Sequence, residues 1–139
     1  MAIPKDVRKK VHEKFGERCA YCGTDIKDRF QVDHIIAQSD FLHQIKTKSK
    51  HIPMFLRHLK ESDVNHIDNL FPTCTSCNSY KNSMSLTTFR KEVSEMLRKL
   101  DAYSTIYRIA YRFGMIKENK KKIIFYFETT DYNKYCNHK

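Results

Sequence analysis

The sequence contains no apolar run of about eighteen residues or more, which excludes a helix built to cross a bilayer. Its start, Met1 to Lys10, is charged instead of continuing into an apolar signal segment, so a cytoplasmic protein is the expectation. Internal repeats and low-complexity tracts are also missing, which removes solenoids and linker-like chains. Glycine is scarce, with three residues, and each stands where a chain must stop or turn: Gly16 and Gly114 follow helical stretches and Gly23 follows a cysteine pair. Acidic residues are in deficit, 16 against 26 lysines and arginines, for a formal charge of +10. Such a surface attracts polyanions and makes nucleic acid the leading partner, with no role expected for a membrane or a small organic cofactor. The plain alternative is a soluble basic protein with no specific ligand. A length of 139 residues suits one compact domain and is short for two of ordinary size.

What is present in unusual order is cysteine. Of five cysteines, four form two Cys-x-x-Cys pairs, Cys19 with Cys22 and Cys74 with Cys77. Without a secretion signal this arithmetic favours a metal over disulfides. Two tight turns each presenting two thiolates supply a tetrahedral sulfur shell that suits zinc and keeps no position open, so the expected site is structural. Cys136 stands outside both pairs. A plain thiol in a polar tail over 129–139 is preferred there to a metal contact shared with His138.

The chain around the pairs reads as α+β. A helix is expected over 4–15, with proline at its first position and Val7, Val11 and Phe15 recurring every four residues. Residues 30–36 combine β-branched and aromatic types and read as a strand that carries Asp33 and His34 near its end. Residues 69–73 form a candidate second strand running into the second pair, with a helix starting near Cys77 or Asn78. Between them, 39–65 is a basic, irregular stretch expected as a long loop with one amphipathic helical piece at 53–59, where Phe55, Leu56 and Leu59 share a face. Helices follow over 86–100 and 104–113, the latter capped by Ser104 and ended by Gly114. A late strand is expected at 123–127.

The decisive feature is what the cysteines bracket. Val32-Asp33-His34-Ile35 and Asp68-Asn69-Leu70 lie between the pairs, and Asn78-Ser79-Tyr80-Lys81 follows the last cysteine at once. Zinc would draw the helix at Asn78 against the hairpin holding Asp33 and His34 and so make one pocket from distant residues. In that order the motifs resemble the zinc-containing branch of the HNH nuclease family, with its ββα-metal core, over Cys19 to Lys81. The resemblance implies a single HNH domain over 1–139 with a four-cysteine zinc staple, an extension of helices and a late strand over 86–128, and DNA as substrate.

Carried over residue by residue, it implies that Asp33 and Asn78 hold a catalytic Mg²⁺ or Mn²⁺, that His34 is the general base, and that Asn69 braces the hairpin loop. The chemistry suits these roles. Carboxylate and amide oxygens are hard ligands, and a neutral imidazole takes a proton from water near pH 7 when its other nitrogen is held, here expected on a backbone carbonyl. Direct attack by that water leaves a 5′-phosphate and a 3′-hydroxyl. Lys81, three residues after Asn78 on one helix face, is expected at the phosphate, against a reading as a solvated surface lysine.

The sequence departs from the usual pattern in one place. Many relatives have a short glycine-rich loop where this chain has Lys46, Lys48, Lys50, His51, Arg57, His58 and Lys60, a DNA-binding arm or a solvated lid in equal measure. His66 reads as a surface residue with a phosphate contact as the alternative, and His12 and His43 as ordinary surface histidines. A zinc-knuckle nucleic-acid-binding module without catalysis also accounts for the charge and the cysteines, but leaves Asp33, His34 and Asn78 as coincidence. An adaptor for protein partners accounts for the cysteines alone.

Overall fold

The computed structural model describes residues 2–136. Within them the chain is α+β, with eight helices and one two-stranded antiparallel sheet. Its contacts resolve into two compact units, one made of residues up to 86 and from 124 onward, the other of 87–123. Among the described residues no helix is long and apolar enough to cross a membrane.

The first unit begins with α1 (Lys5–Glu13), entered from Pro4 in extended conformation and anchored by buried Val11 and, beyond the helix end, by Phe15. The four-residue spacing of these side chains is what turns one stripe inward. Gly16 then takes a positive φ and reverses the chain toward Cys19.

Strands β1 (Gln31–His34) and β2 (Leu70–Thr73) pair in a register that sets Asp33 opposite Phe71 and His34 opposite Leu70. Pro72 lacks an N–H to give the ladder, yet its carbonyl accepts from Ala20 N at 2.8 Å, which ties the first cysteine turn to the sheet. Helix α3 (Thr75–Lys81) follows β2 directly. It starts two residues before Cys77, because the Cys74 sulfur accepts from Cys77 N and serves as its cap.

The long excursion between the strands holds more helix than its sequence suggests. Helix α2 (Gln38–Thr47) occupies a stretch expected to be irregular, closed by Lys48 in the left-handed conformation. The expected helical piece at 53–59 is in fact one 3₁₀ turn, Met54–Leu56, with Leu56 and Leu59 buried and the rest of the segment irregular. A second 3₁₀ turn, Ile67–Asn69, leads into β2.

The core of this unit is aromatic. Phe71 meets Phe127 at 4.7 Å, Phe15 at 5.3 Å and Tyr21 at 5.9 Å between ring centres, and Tyr135 packs on Phe127 at 5.1 Å. The expected late strand is not there. Residues 123–125 are irregular and continue into α7 (Tyr126–Thr130) and α8 (Tyr132–Tyr135). The apolar alternation that suggested a strand is real, since Phe125 and Phe127 are both buried. The Glu128 carboxylate, however, accepts from Phe125 N and starts a helix there. Part of the supposed loose tail is therefore folded, with Tyr135 buried, while His138 lies outside the described residues.

In the second unit, the helix expected over 86–100 is two helices, α4 (Leu86–Ser94) and α5 (Met96–Tyr103). Ser94 Oγ donates to the Lys91 carbonyl at 2.6 Å, and Glu95 N is shared between the Lys91 and Glu92 carbonyls, so the regular ladder breaks at that point. Helix α6 (Thr105–Arg112) has the ends its sequence predicts: Ser104 Oγ accepts from Tyr107 N, and Gly114 adopts a positive φ.

Candidate functional site

Cys19 and Cys22 sit on the turn after α1, and Cys74 and Cys77 on the junction of β2 with α3. The four sulfurs all lie within 4.8 Å of one another, and those of Cys22 and Cys74 are 3.8 Å apart. A zinc–sulfur bond of about 2.3 Å in tetrahedral geometry requires sulfurs about 3.8 Å apart, so the cage fits the ion. Gly23 makes the first turn possible: its φ is +75°, and a Cβ there would meet Tyr126 Cδ1 at 3.1 Å.

The four thiols are also electrostatically coupled. A hydrogen bond from Cys77 pulls the Cys19 thiol down to about 5, and the same contact pushes Cys77 far up. Burial raises Cys22 to about 11. Sulfurs this close share protons among themselves unless a dication replaces them.

Beside this cage, Asp33, His34 and Asn78 line one open cleft of about 340 Å³, together with Val32, Ala37, Gln38, Ser39, Asn82 and Ser83. The sheet register delivers the first two and α3 the third. Asn78 Nδ2 donates to Gln31 Oε1 on β1, so the amide oxygen Oδ1 is not the atom used in that bond. His34 Nε2 lies 2.8 Å from Asn65 Oδ1. The second ring nitrogen is thus held by a side-chain amide and not by the backbone carbonyl expected. With the proton on Nε2, Nδ1 carries the lone pair.

Asn69 is fully buried and spans the neck of the excursion. Its Oδ1 accepts from Ile36 N at 2.9 Å, and its Nδ2 donates to the carbonyls of Ile36 and Val64. A turn asparagine would leave those groups to water. This one closes the loop that follows His34.

Lys81 departs from both sequence readings. It is neither at the surface nor directed to a phosphate, but fully buried, with Nζ 3.1 Å from Asp33 Oδ2 and donating to the carbonyls of His34 and Ile35. Tyr21 OH donates to the same Asp33 oxygen at 2.6 Å. Burial pushes the Asp33 carboxyl above its ordinary range, and the Lys81 charge opposes that shift. Lys81 therefore positions the carboxylate, and Tyr21 shares the task.

The basic residues of the excursion, Lys46, Lys48, Lys50, His51, Arg57, His58 and Lys60, are all exposed. His66 caps the second 3₁₀ turn through its ring nitrogen. His43 is exposed, whereas His12 is no ordinary surface residue: it stacks on Phe30 at 4.1 Å and bonds the Ile26 carbonyl. Sequence reasoning missed Tyr21, Gln31 and Asn65. The only signal for them was their nearness to the motifs, since their partners lie 12, 47 and 31 residues away.

No family model, no curated protein and no solved structure matches this chain.

Proposed function

We propose that this chain is a cytoplasmic, metal-dependent DNA endonuclease of the HNH type, with the β1–β2 hairpin and α3 as its ββα-metal core. One observation carries the reading: Asp33, His34 and Asn78, which are spread over 46 positions of the sequence, line a single cleft next to a four-sulfur cage. Each of the three is oriented by its own partner: His34 by Asn65, Asn78 by Gln31, and Asp33 by Lys81 and Tyr21.

The residues divide the work by their chemistry. His34 takes the proton from the attacking water at Nδ1, while Asn65 keeps the ring oriented through Nε2. Asp33 and Asn78 present a carboxylate and an amide oxygen, a donor set that suits Mg²⁺ or Mn²⁺. An ion held there would supply Lewis-acid stabilisation of the scissile phosphate and the departing oxygen. Lys81 and Tyr21 fix the carboxylate, and Asn69 fixes the loop behind the base. The products expected are a 5′-phosphate and a 3′-hydroxyl. A net charge of +10 and seven exposed basic side chains on the excursion give the sequence-independent attraction to phosphates that such an enzyme needs.

One observation favours a second reading, a zinc-stabilised nucleic-acid-binding module without catalysis. The Asp33 charge is already balanced by Lys81 inside the protein, which weakens its pull on a dication. Supercoiled plasmid incubated with Mg²⁺ or Mn²⁺, for wild type and His34→Ala, separates the two. Nicking by wild type alone supports the nuclease. Retardation of DNA in a gel with no nicking in either metal supports the binding module.

A further inference from the structure

We propose that His58, His66 and Asp68 form a second metal site, for a divalent transition ion of the Zn²⁺ or Co²⁺ class, separate from the cysteine cage and from the cleft. The three residues lie on the excursion between the strands, His58 just past the first 3₁₀ turn and the other two at the second. One ligand atom from each lies within 4.8 Å of the others. Both imidazoles address the same carboxylate oxygen: His58 Nε2 is 2.9 Å and His66 Nδ1 is 3.8 Å from Asp68 Oδ2. The two rings stand edge to face with centres 5.9 Å apart.

An ordinary surface pair does not account for this arrangement. One histidine would satisfy the carboxylate, and an exposed pair of that kind adds little stability. His66 reaches the same oxygen as well as capping the turn, so three donor atoms converge where one dication can meet all of them, each ring binding in its neutral form. His66 Nδ1 is already in the required state: it accepts a hydrogen bond from Asp68 N at 3.0 Å and so carries no proton. The ion takes over that lone pair, and the backbone N–H turns to water at the surface.

Two imidazoles and one carboxylate are the donor set that borderline transition metals prefer over Mg²⁺ or Ca²⁺, and three protein ligands leave positions for water. The side chains of His58, His66 and Asp68 are 55%, 39% and 27% exposed. An ion therefore reaches them directly from solvent, and exchange is expected to be faster than at the sulfur cage. The site clasps 58–68, the segment that contains Asn65, the partner of His34.

The test uses the full chain, with wild type compared with His58→Ala and Asp68→Asn. Each is dialysed to equilibrium against micromolar Zn²⁺ and its metal content measured, and each is titrated separately with Co²⁺ and followed by absorbance. The thiolate-to-cobalt charge-transfer band reports the cysteine cage alone, and its retention in the variants shows that they remain folded. The result expected is one equivalent of zinc fewer in each variant than in wild type, with the thiolate band unchanged. Wild type holding a single equivalent, or either variant holding as much zinc as wild type, overturns the proposal. None of these readouts depends on DNA cleavage.

Discussion

Lys81 and Asp33 form an ion pair 3.1 Å long at 0% and 4% side-chain exposure, the one on α3 and the other on β1. Neither charge reaches bulk water, so each depends on the other for its solvation. Removing one partner strands the other, which typically costs about 3–5 kcal/mol, whereas removing both leaves a neutral site. Lys81→Met is expected to lower the urea midpoint by that order, and the double variant Asp33→Asn with Lys81→Met to recover most of the loss. A double variant as unstable as the single one would show that the pair's charges are not what the core requires.

The sulfur cage joins segments 52 residues apart through Cys22 and Cys74. Closing a loop of that length is worth roughly 4 kcal/mol by the chain-entropy formula, before the binding energy of the ion is counted. Cys74→Ser keeps a side chain able to cap α3, so it removes the sulfur ligand alone. Zinc analysis with circular dichroism is expected to find this variant metal-depleted at the cage and unfolded, and chelation of wild type to produce the same state. A folded Cys74→Ser chain without cage zinc would show the staple to be dispensable.

His34→Ala is expected to keep the fold, since the ring lies at the cleft, and to reduce plasmid nicking by about 100-fold or more, the usual contribution of a general base. Asn65→Ala removes only the ring's support. Its rate is expected to fall between those of wild type and His34→Ala, with zinc content unchanged. Equal rates for Asn65→Ala and wild type would remove Asn65 from the site.

Lys14 provides a pH signature. Burial, with Lys134 nearby, lowers its ammonium from 10.5 to about 8, against a weaker pull from Asp68. The unfolded chain holds that proton up to 10.5, so between about 8 and 10.5 the unfolded state binds more protons, and raising pH through this window favours the folded state. Below about 8 the cost of the buried charge is carried in full. The gain across the window is about 3 kcal/mol at most. Urea midpoints of zinc-loaded wild type at about pH 7.5 and about pH 10, on either side of most of that window, should rise relative to those of Lys14→Met. Parallel changes in the two proteins would exclude Lys14 as the source.

The sheet and its cysteine flanks were legible in the sequence because their signals are local: β-branched and aromatic residues at 30–36, a fixed Cys-x-x-Cys spacing, and Ser104 and Gly114 marking the ends of α6. Helix α2 was not, because its apolar residues amount to a single turn, Phe41, Leu42 and Ile45, with Phe41 the one buried, too short a repeat to stand out from its polar neighbours. Residues 123–127 misled for the opposite reason. Their period of two is real, but the Glu128 side chain decides the backbone. Lys81 could not be placed from its neighbours at all, since a lysine ending a helix is ordinarily solvated and its partner stands 48 positions earlier. Of the site, the order of motifs and the bracing Asn69 were readable, and the partners Tyr21, Gln31 and Asn65 were not.

The Asn69 clasp has a consequence for how this protein can change. A single buried amide pins Ile36 to Val64, so the two ends of the excursion meet at a fixed neck. Exchanges at the exposed Lys46, Lys48, Lys50 and Lys60, away from the core residues Phe41, Ile52, Leu56 and Leu59 and from the cleft wall at Ala37, Gln38 and Ser39, leave the strand register and the histidine that follows Asp33 undisturbed. Evolution can therefore alter the charge that the excursion offers a partner without touching the cleft.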